Sequence, residues 1–363
     1  MSPVVAPPPA PIVAPGPVVF GRTTVRIGPR TVRLQAEVDG RSRLAFPVKR
    51  GPRRVTVPLP VGRWSLRLRA IGPGGVRMSA PQVVWVLPAS GARLGTTKGR
   101  LDRRLQADLV ALTGRLPAIS GVYVQHLLTG CGAGVNAGAQ FPTASVLKAG
   151  ILLDAARRPA GASASLLDQM ILDSSDRAAN QVLAIQGGGD GVAGAARVTE
   201  TLRAIGLQQA LVRRPYIIEE TSGRPIPVET TAQPALFTNF IGSPYELARM
   251  FTVIHRGALG GGALRTLGLG AQRVRSEVTR RLLDVKDRTK LARAMPPGVP
   301  LMHKTGYTEQ VKHDVGVVYT RSGPIVVAAM TWSASGVSDG TGDAFIAEVG
   351  RAVLKRLAAG GRC

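Results

Sequence analysis

The chain has 363 residues and a formal charge of +25, with 47 Lys or Arg against 22 Asp or Glu. That length allows two domains and a sizeable core, and with 4% aromatic against 44% hydrophobic residues the core must be aliphatic. The charge fits attraction to polyanions or simply the Arg-rich usage of a GC-rich coding sequence; with no basic–aromatic interleaving and no reading motif, nucleic-acid binding is set aside.

Residues 1–18 are rich in Pro, Ala and Val and read as an extended, disordered leader. They carry no basic n-region and no proline-free apolar run, so they do not read as a signal peptide. From Thr23 the pattern changes to period two: Val25 and Ile27, then Val32, Leu34, Ala36 and Val38. Further runs lie at Val55–Val57, Trp64–Ala70 and Val83–Leu87, with turn signals at Asp39-Gly40, Arg50-Gly51-Pro52 and Gly72-Pro73-Gly74-Gly75. Six or seven short strands over residues 19–88 predict a small β-sandwich of immunoglobulin type. Residues 89–100 read as a linker.

The remainder, 101–363, is predicted α+β. A helix is expected over Leu101–Leu112, with Leu101, Leu105, Leu109 and Leu112 on one stripe. Strands follow at Ser120–Leu127 and Gly134–Asn136, then a helix over the apolar run Ala149–Ala156. Residues 162–205 read as helical pieces broken at Gly187-Gly188-Gly189, and 211–240 as a long loop region. A helix over Pro244–His255 is expected to be capped by Ser243. Strands Val315–Tyr319 and Ile325–Trp332 and a helix over Gly342–Leu357 close the chain. The expected architecture is an antiparallel sheet with helices packed against it. No apolar run reaches membrane-spanning length. The two cysteines, Cys131 and Cys363, form no C-x-x-C motif, so no metal or cofactor is expected.

Three short motifs carry chemistry. Ser145 and Lys148 lie one turn apart at the head of the apolar run. A serine hydroxyl needs a neighbouring base, and a desolvated lysine serves as one. Ser175-Asp176-Arg177 follows between helical segments, and Lys304-Thr305-Gly306 opens a strand, with His313-Asp314 beyond it. Taken singly, each has an ordinary explanation: Ser175 as a helix cap, Lys304 as an edge-strand lysine.

Taken in order, Phe141-Pro142-Thr143-Ala144-Ser145-Val146-Leu147-Lys148, Ser175-Asp176-x-Ala178-Ala179-Asn180 and His303-Lys304-Thr305-Gly306 resemble the three motifs of the class A β-lactamase family. The resemblance covers roughly residues 100 to 360 and implies a β-lactamase/transpeptidase-like fold. It implies that Ser145 attacks a carbonyl, Lys148 takes or relays its proton, and Ser175 protonates the leaving nitrogen. Lys304 and Thr305 would attract a substrate carboxylate, with Gly306 beside them. The N–H groups of Ser145 and Tyr307 would form the oxyanion hole.

Two departures stand out. Arg177 occupies the position of the family's substrate-holding asparagine. The family's water-activating glutamate has no counterpart in its usual setting; ungapped counting puts Tyr216 there, with Glu219 and Glu220 nearby. The expected activity is hydrolysis of β-lactam amides through acyl-Ser145. The alternatives are a penicillin-binding-protein-like wall peptidase or esterase with slow deacylation, or a degenerate binder of an anionic envelope polymer. The expected partner is a small β-lactam or peptide-like amide, the expected state a monomer, and the expected location, from the resemblance, secreted or envelope-bound. If the last strand pairs with the first, the final helix runs back towards Cys131, which makes a Cys131–Cys363 bridge feasible.

Overall fold

The computed structural model describes residues 6–14, 16–40, 42–48, 54–95, 98–158, 161–217, 228–230, 234–236, 239–360 and 363. The chain divides near Ala92 into two compact units.

The N-terminal unit is all-β. One sheet holds Ile12–Ala14, Thr23–Arg26 and Arg54–Val57. The other is built on Val18–Phe20, Gln82–Leu87, Gly62–Gly72, Arg33–Val38 and Ser42–Pro47, in that order. Alternation does what the sequence implies: Leu34, Ala36, Leu66 and Leu68 are buried and join Val25 and Val57 in one aliphatic cluster. The expected disordered leader is a correction. Ile12–Ala14 pairs antiparallel with Thr24–Arg26, and Val13 is buried. Pro11 precedes this edge strand rather than interrupting its ladder, so it costs no inter-strand bond. Val32, read into the alternation, precedes its strand and is exposed.

The second unit carries a six-stranded sheet ordered Arg100–Leu101, Cys131–Val135, Ile119–His126, Pro324–Trp332, Val311–Tyr319, Leu301–Tyr307. All neighbours are antiparallel except the short first strand. Every residue of Val311–Tyr319 and Pro324–Trp332 is buried, so these strands are covered on both faces. Helices Pro244–Ala258 and Asp339–Leu357 both pack on them. Helix Arg103–Arg115 packs on Asp339–Leu357, and Asp102 ties the two. Its carboxylate caps the first helix at Leu105 N, 3.0 Å, and accepts from Arg356 Nε at 2.9 Å.

Ser243 caps the helix that starts at Pro244, with its Oγ accepting from Glu246 N at 3.3 Å. Helices Ala164–Leu172, Asp176–Gln186 and Gly191–Ala204 form the region read as helical pieces, and the glycine break separates the last two. Cys131 and Cys363 are joined by a disulfide, with Cα atoms 5.6 Å apart. A closed loop this long restricts the unfolded chain and stabilises the fold by about 2–5 kcal/mol.

Candidate active site

The segment that carries Ser145 is held from three sides. Phe141–Pro142 pairs with Ile241–Gly242, and Thr143 N donates to the Phe240 carbonyl at 3.1 Å. Ala144–Leu147 then forms a tight 3₁₀ turn that leads into helix Lys148–Arg157. Ala144 sits at φ 46°, a left-handed conformation that a non-glycine residue adopts only under constraint. On the third side lies the strand Leu301–Tyr307. A Cβ on Gly306 would stand 2.6 Å from the Thr143 carbonyl and 3.1 Å from Ser145 N, so only glycine lets the strand pass.

Lys148 is fully buried, and its Nζ donates to Ser145 Oγ at 2.8 Å. The same ammonium donates to Asp176 Oδ1 at 2.5 Å and to the Ser174 carbonyl. Burial pushes the Lys148 pKa down, while Asp176 pulls it back up. Lys304, also fully buried, donates to Ser174 Oγ at 2.9 Å and to the Thr305 carbonyl at 2.9 Å. Burial, and then the charge of Lys148, lower its pKa to about 7.

The serine between the two lysines is therefore Ser174, and the expectation placed on Ser175 is corrected. Ser175 Oγ accepts from Ala178 N at 3.2 Å and caps helix Asp176–Gln186. Ser174, at φ 58°, is turned away from the helix and towards the lysines. The register of the whole motif shifts with it. Asp176 lies against Lys148, whereas Arg177 is exposed and lines neither cavity at the site. Arg177 is thus corrected as a substrate contact. The helix needs a cap at the residue before its first turn; Ser175 fills that place, which leaves the Ser174 hydroxyl free to meet the lysines.

Two cavities flank Ser145 and Ser174. One, of about 460 Å³, is lined by Ser174, Lys304, Thr305, Tyr307, Asp287 and Lys290 among others. The second, of about 190 Å³, is lined by Ser145, Asp176, Tyr216, Asn239, Phe240 and Tyr307 among others. Tyr307 is 57% exposed and borders both. Lys290 escaped sequence reading: its ammonium binds Asp287 at 2.8 Å and Asp343 at 3.2 Å beside Tyr307. Asp287 is a local partner three residues earlier, whereas Asp343 comes from helix Asp339–Leu357, which no local spacing signals.

Tyr216 is held by a double backbone clasp. Asn180 Nδ2 donates to its carbonyl at 2.8 Å, and its N–H donates to Asn180 Oδ1 at 2.7 Å. Its ring stacks on Phe240 with centroids 3.9 Å apart, and Lys148 Nζ lies 4.7 Å from its centroid. Its hydroxyl donates to the Ala144 carbonyl at 3.3 Å. Burial, then the Asp176 charge, push the phenol pKa well above its usual range. Glu219 and Glu220 lie outside the described residues.

His313 anchors the strand Phe141–Pro142 that leads to Ser145. In the neutral ring Nε2–H donates to the Pro142 carbonyl at 2.7 Å, and Nδ1 accepts from Thr331 N at 3.2 Å. Burial lowers the pKa of His313 from 6.5 to about 4, and that of His255 likewise. The unfolded chain then takes up protons that the folded chain refuses as pH falls from 6.5 to about 4. The stability from the neutral rings is complete above that window and is lost within it, by roughly 3 kcal/mol per ring. Urea midpoints measured across this range are expected to fall; a flat profile contradicts the assignment.

Residues 162–357, more than half of the chain, match the family described as beta-lactamase enzyme family. The chain belongs to that family. Its beta-lactamase/transpeptidase-like fold is also seen in solved structures at low identity. An acyl-enzyme complex of a point mutant of PBP-A with penicillin G is 21% identical, with TM-score 0.56; the match covers 72% of this chain and 98% of the other. A variant of the last common ancestor of the class A beta-lactamases of Gram-negative bacteria is 22% identical, with TM-score 0.54, covering 69% and 97%. A class A beta-lactamase representative from Bacteroides cellulosilyticus is 16% identical, with TM-score 0.57, covering 72% and 98%. No curated protein matches. Of the two expected departures, Arg177 lies outside both cavity walls, whereas Tyr216 lines the smaller cavity together with Asp176, the acid against the buried lysine.

Proposed function

We propose that this protein is a serine acyl-transfer enzyme that opens the amide of β-lactams or peptide-like substrates and releases acyl-Ser145 slowly. The observation that carries the reading is the Lys148 ammonium 2.8 Å from Ser145 Oγ, with Ser174 Oγ shared between Lys148 at 3.4 Å and Lys304 at 2.9 Å. Uncharged Lys148 takes the proton of Ser145 as Oγ bonds to the carbonyl carbon. The proton passes by way of Ser174 to the leaving nitrogen as the C–N bond breaks. Lys304 holds Ser174 Oγ and, with Thr305, attracts a carboxylate on the amine half of the substrate. The N–H groups of Ser145 and Tyr307 stabilise the oxyanion.

Slow release is supported by Tyr216. Its side chain fills the ground beside Ser145 and Lys148, and its raised pKa keeps it a neutral phenol that has no basic oxygen to take a proton from water. The disulfide supports an oxidising location, secreted or at the envelope. Residues 19–88 then serve as an immunoglobulin-like module that precedes the hydrolase domain in the chain, with an anionic envelope polymer as its candidate partner.

Intact-mass spectrometry with penicillin G tests the reading. A long-lived adduct mapped to Ser145, absent from Ser145→Ala, is expected. Rapid turnover without accumulation would instead make the enzyme an efficient β-lactamase. Neither adduct nor turnover would leave only a binding role.

A further inference from the structure

We propose that Asp176 selects substrates bearing a positive charge on the acyl half of the scissile amide, and that this charge readies Lys148 to act as base. The inference rests on acylation at Ser145 and adds a substrate class to it.

The position of Asp176 motivates it. Asp176 opens helix Asp176–Gln186, and its side chain is 44% exposed although its partner Lys148 is fully buried. Oδ1 binds Lys148, whereas Oδ2 has no partner among the described residues. The carboxylate lines the 190 Å³ cavity together with Ser145. The other walls include Tyr216, Phe240 and Tyr307, and Asp176 is the one acid among the described lining residues. Aromatic faces beside a carboxylate are the chemistry that receives an ammonium.

The direction of the substrate follows from Ser174. The leaving nitrogen must face the Ser174 hydroxyl, which with Lys304 lines the other, 460 Å³ cavity. The acyl half then lies over the cavity that holds Asp176.

Charge explains the coupling. While Lys148 is an ammonium, the Lys148–Asp176 pair is neutral. Lys148 must lose its proton before it can accept one from Ser145, and this leaves Asp176 as an uncompensated anion in a partly desolvated cavity. A substrate cation near Oδ2 compensates it and weakens the hold of Asp176 on the lysine proton. An anion in the same place strengthens that hold and repels Asp176 as well.

Three penicillins with one nucleus separate these cases: benzylpenicillin, ampicillin with an α-ammonium, and carbenicillin with an α-carboxylate. Rates of adduct formation on Ser145 are read by time-resolved intact mass, in buffer below the pKa of the ampicillin amine. Ampicillin is expected to react fastest and carbenicillin slowest, with steps of about tenfold. Asp176→Asn should collapse the three rates together and raise that of benzylpenicillin. A purely structural role for Asp176 would slow all three alike and keep their order. Equal rates in the unaltered protein, or an order unchanged in Asp176→Asn, overturn the inference while acylation stands. Absence of both adduct and turnover overturns acylation itself, and this inference with it; where turnover outruns accumulation, the three turnover rates are compared in place of adduct formation. The order in the unaltered protein decides the matter even if the variant fails to fold.

Discussion

Ser174→Ala is expected to slow acylation of Ser145 by about 10²–10⁴-fold, the usual contribution of a positioned proton-transfer group. Ser175→Ala should leave that rate nearly unchanged and cost about 1 kcal/mol of stability, the worth of a helix cap. The two serines are neighbours, and only one hydroxyl is placed for chemistry. Ser174 Oγ is 2.9 Å from Lys304 Nζ and 3.4 Å from Lys148 Nζ. Ser175 Oγ is bound to Ala178 N. Removing Ser174 also leaves the two lysines facing each other without a shared acceptor, which adds to the loss. Time-resolved adduct formation and urea unfolding of both variants check the pair. If Ser175→Ala loses acylation and Ser174→Ala retains it, the assignment is wrong.

Tyr216→Glu is expected to shorten the lifetime of acyl-Ser145 by about 10²-fold or more, because a carboxylate there can take a proton from attacking water. The backbone at this position is held by Asn180 whatever the side chain. The new carboxylate would stand beside the Lys148 ammonium, which now faces the Tyr216 ring at 4.7 Å. The substitution gives up the stack on Phe240, so the variant should also be less stable. Tyr216→Phe removes only the hydroxyl bonded to the Ala144 carbonyl and should leave the adduct long-lived. Decay of the labelled adduct in mass spectra reads both variants. A folded Tyr216→Glu protein with unchanged decay would show that the position lies outside the path of the water.

Much of the fold was legible because it is written in local periods. Alternation at Leu34–Val38 and Leu66–Ala70 marked inward faces, since strand side chains point to opposite sides. The leucine stripe marked a buried helix face at Leu105, Leu109 and Leu112, whereas Leu101, read into the same stripe, lies in the short strand before the helix and is exposed. Ser243-Pro244 marked a helix start through capping chemistry alone. The leader was misread because composition does not reveal that Ile12–Ala14 finds an edge 12 residues later to pair with.

The sequence by itself determined the elements of the candidate site: a serine and lysine one turn apart, a capped helix behind them, and a lysine-bearing strand. Those are local facts of spacing and backbone preference. Which serine stands between the lysines, and which neighbour faces the pocket, were decided only by tertiary structure. Two adjacent serines are equivalent on paper. They differ once the helix takes Ser175 as its cap and lysines 26 and 130 residues away converge on Ser174. The same convergence exchanged Arg177 for Asp176 in the cavity wall, because a shift of one residue at a helix start turns the side chain by about 100°.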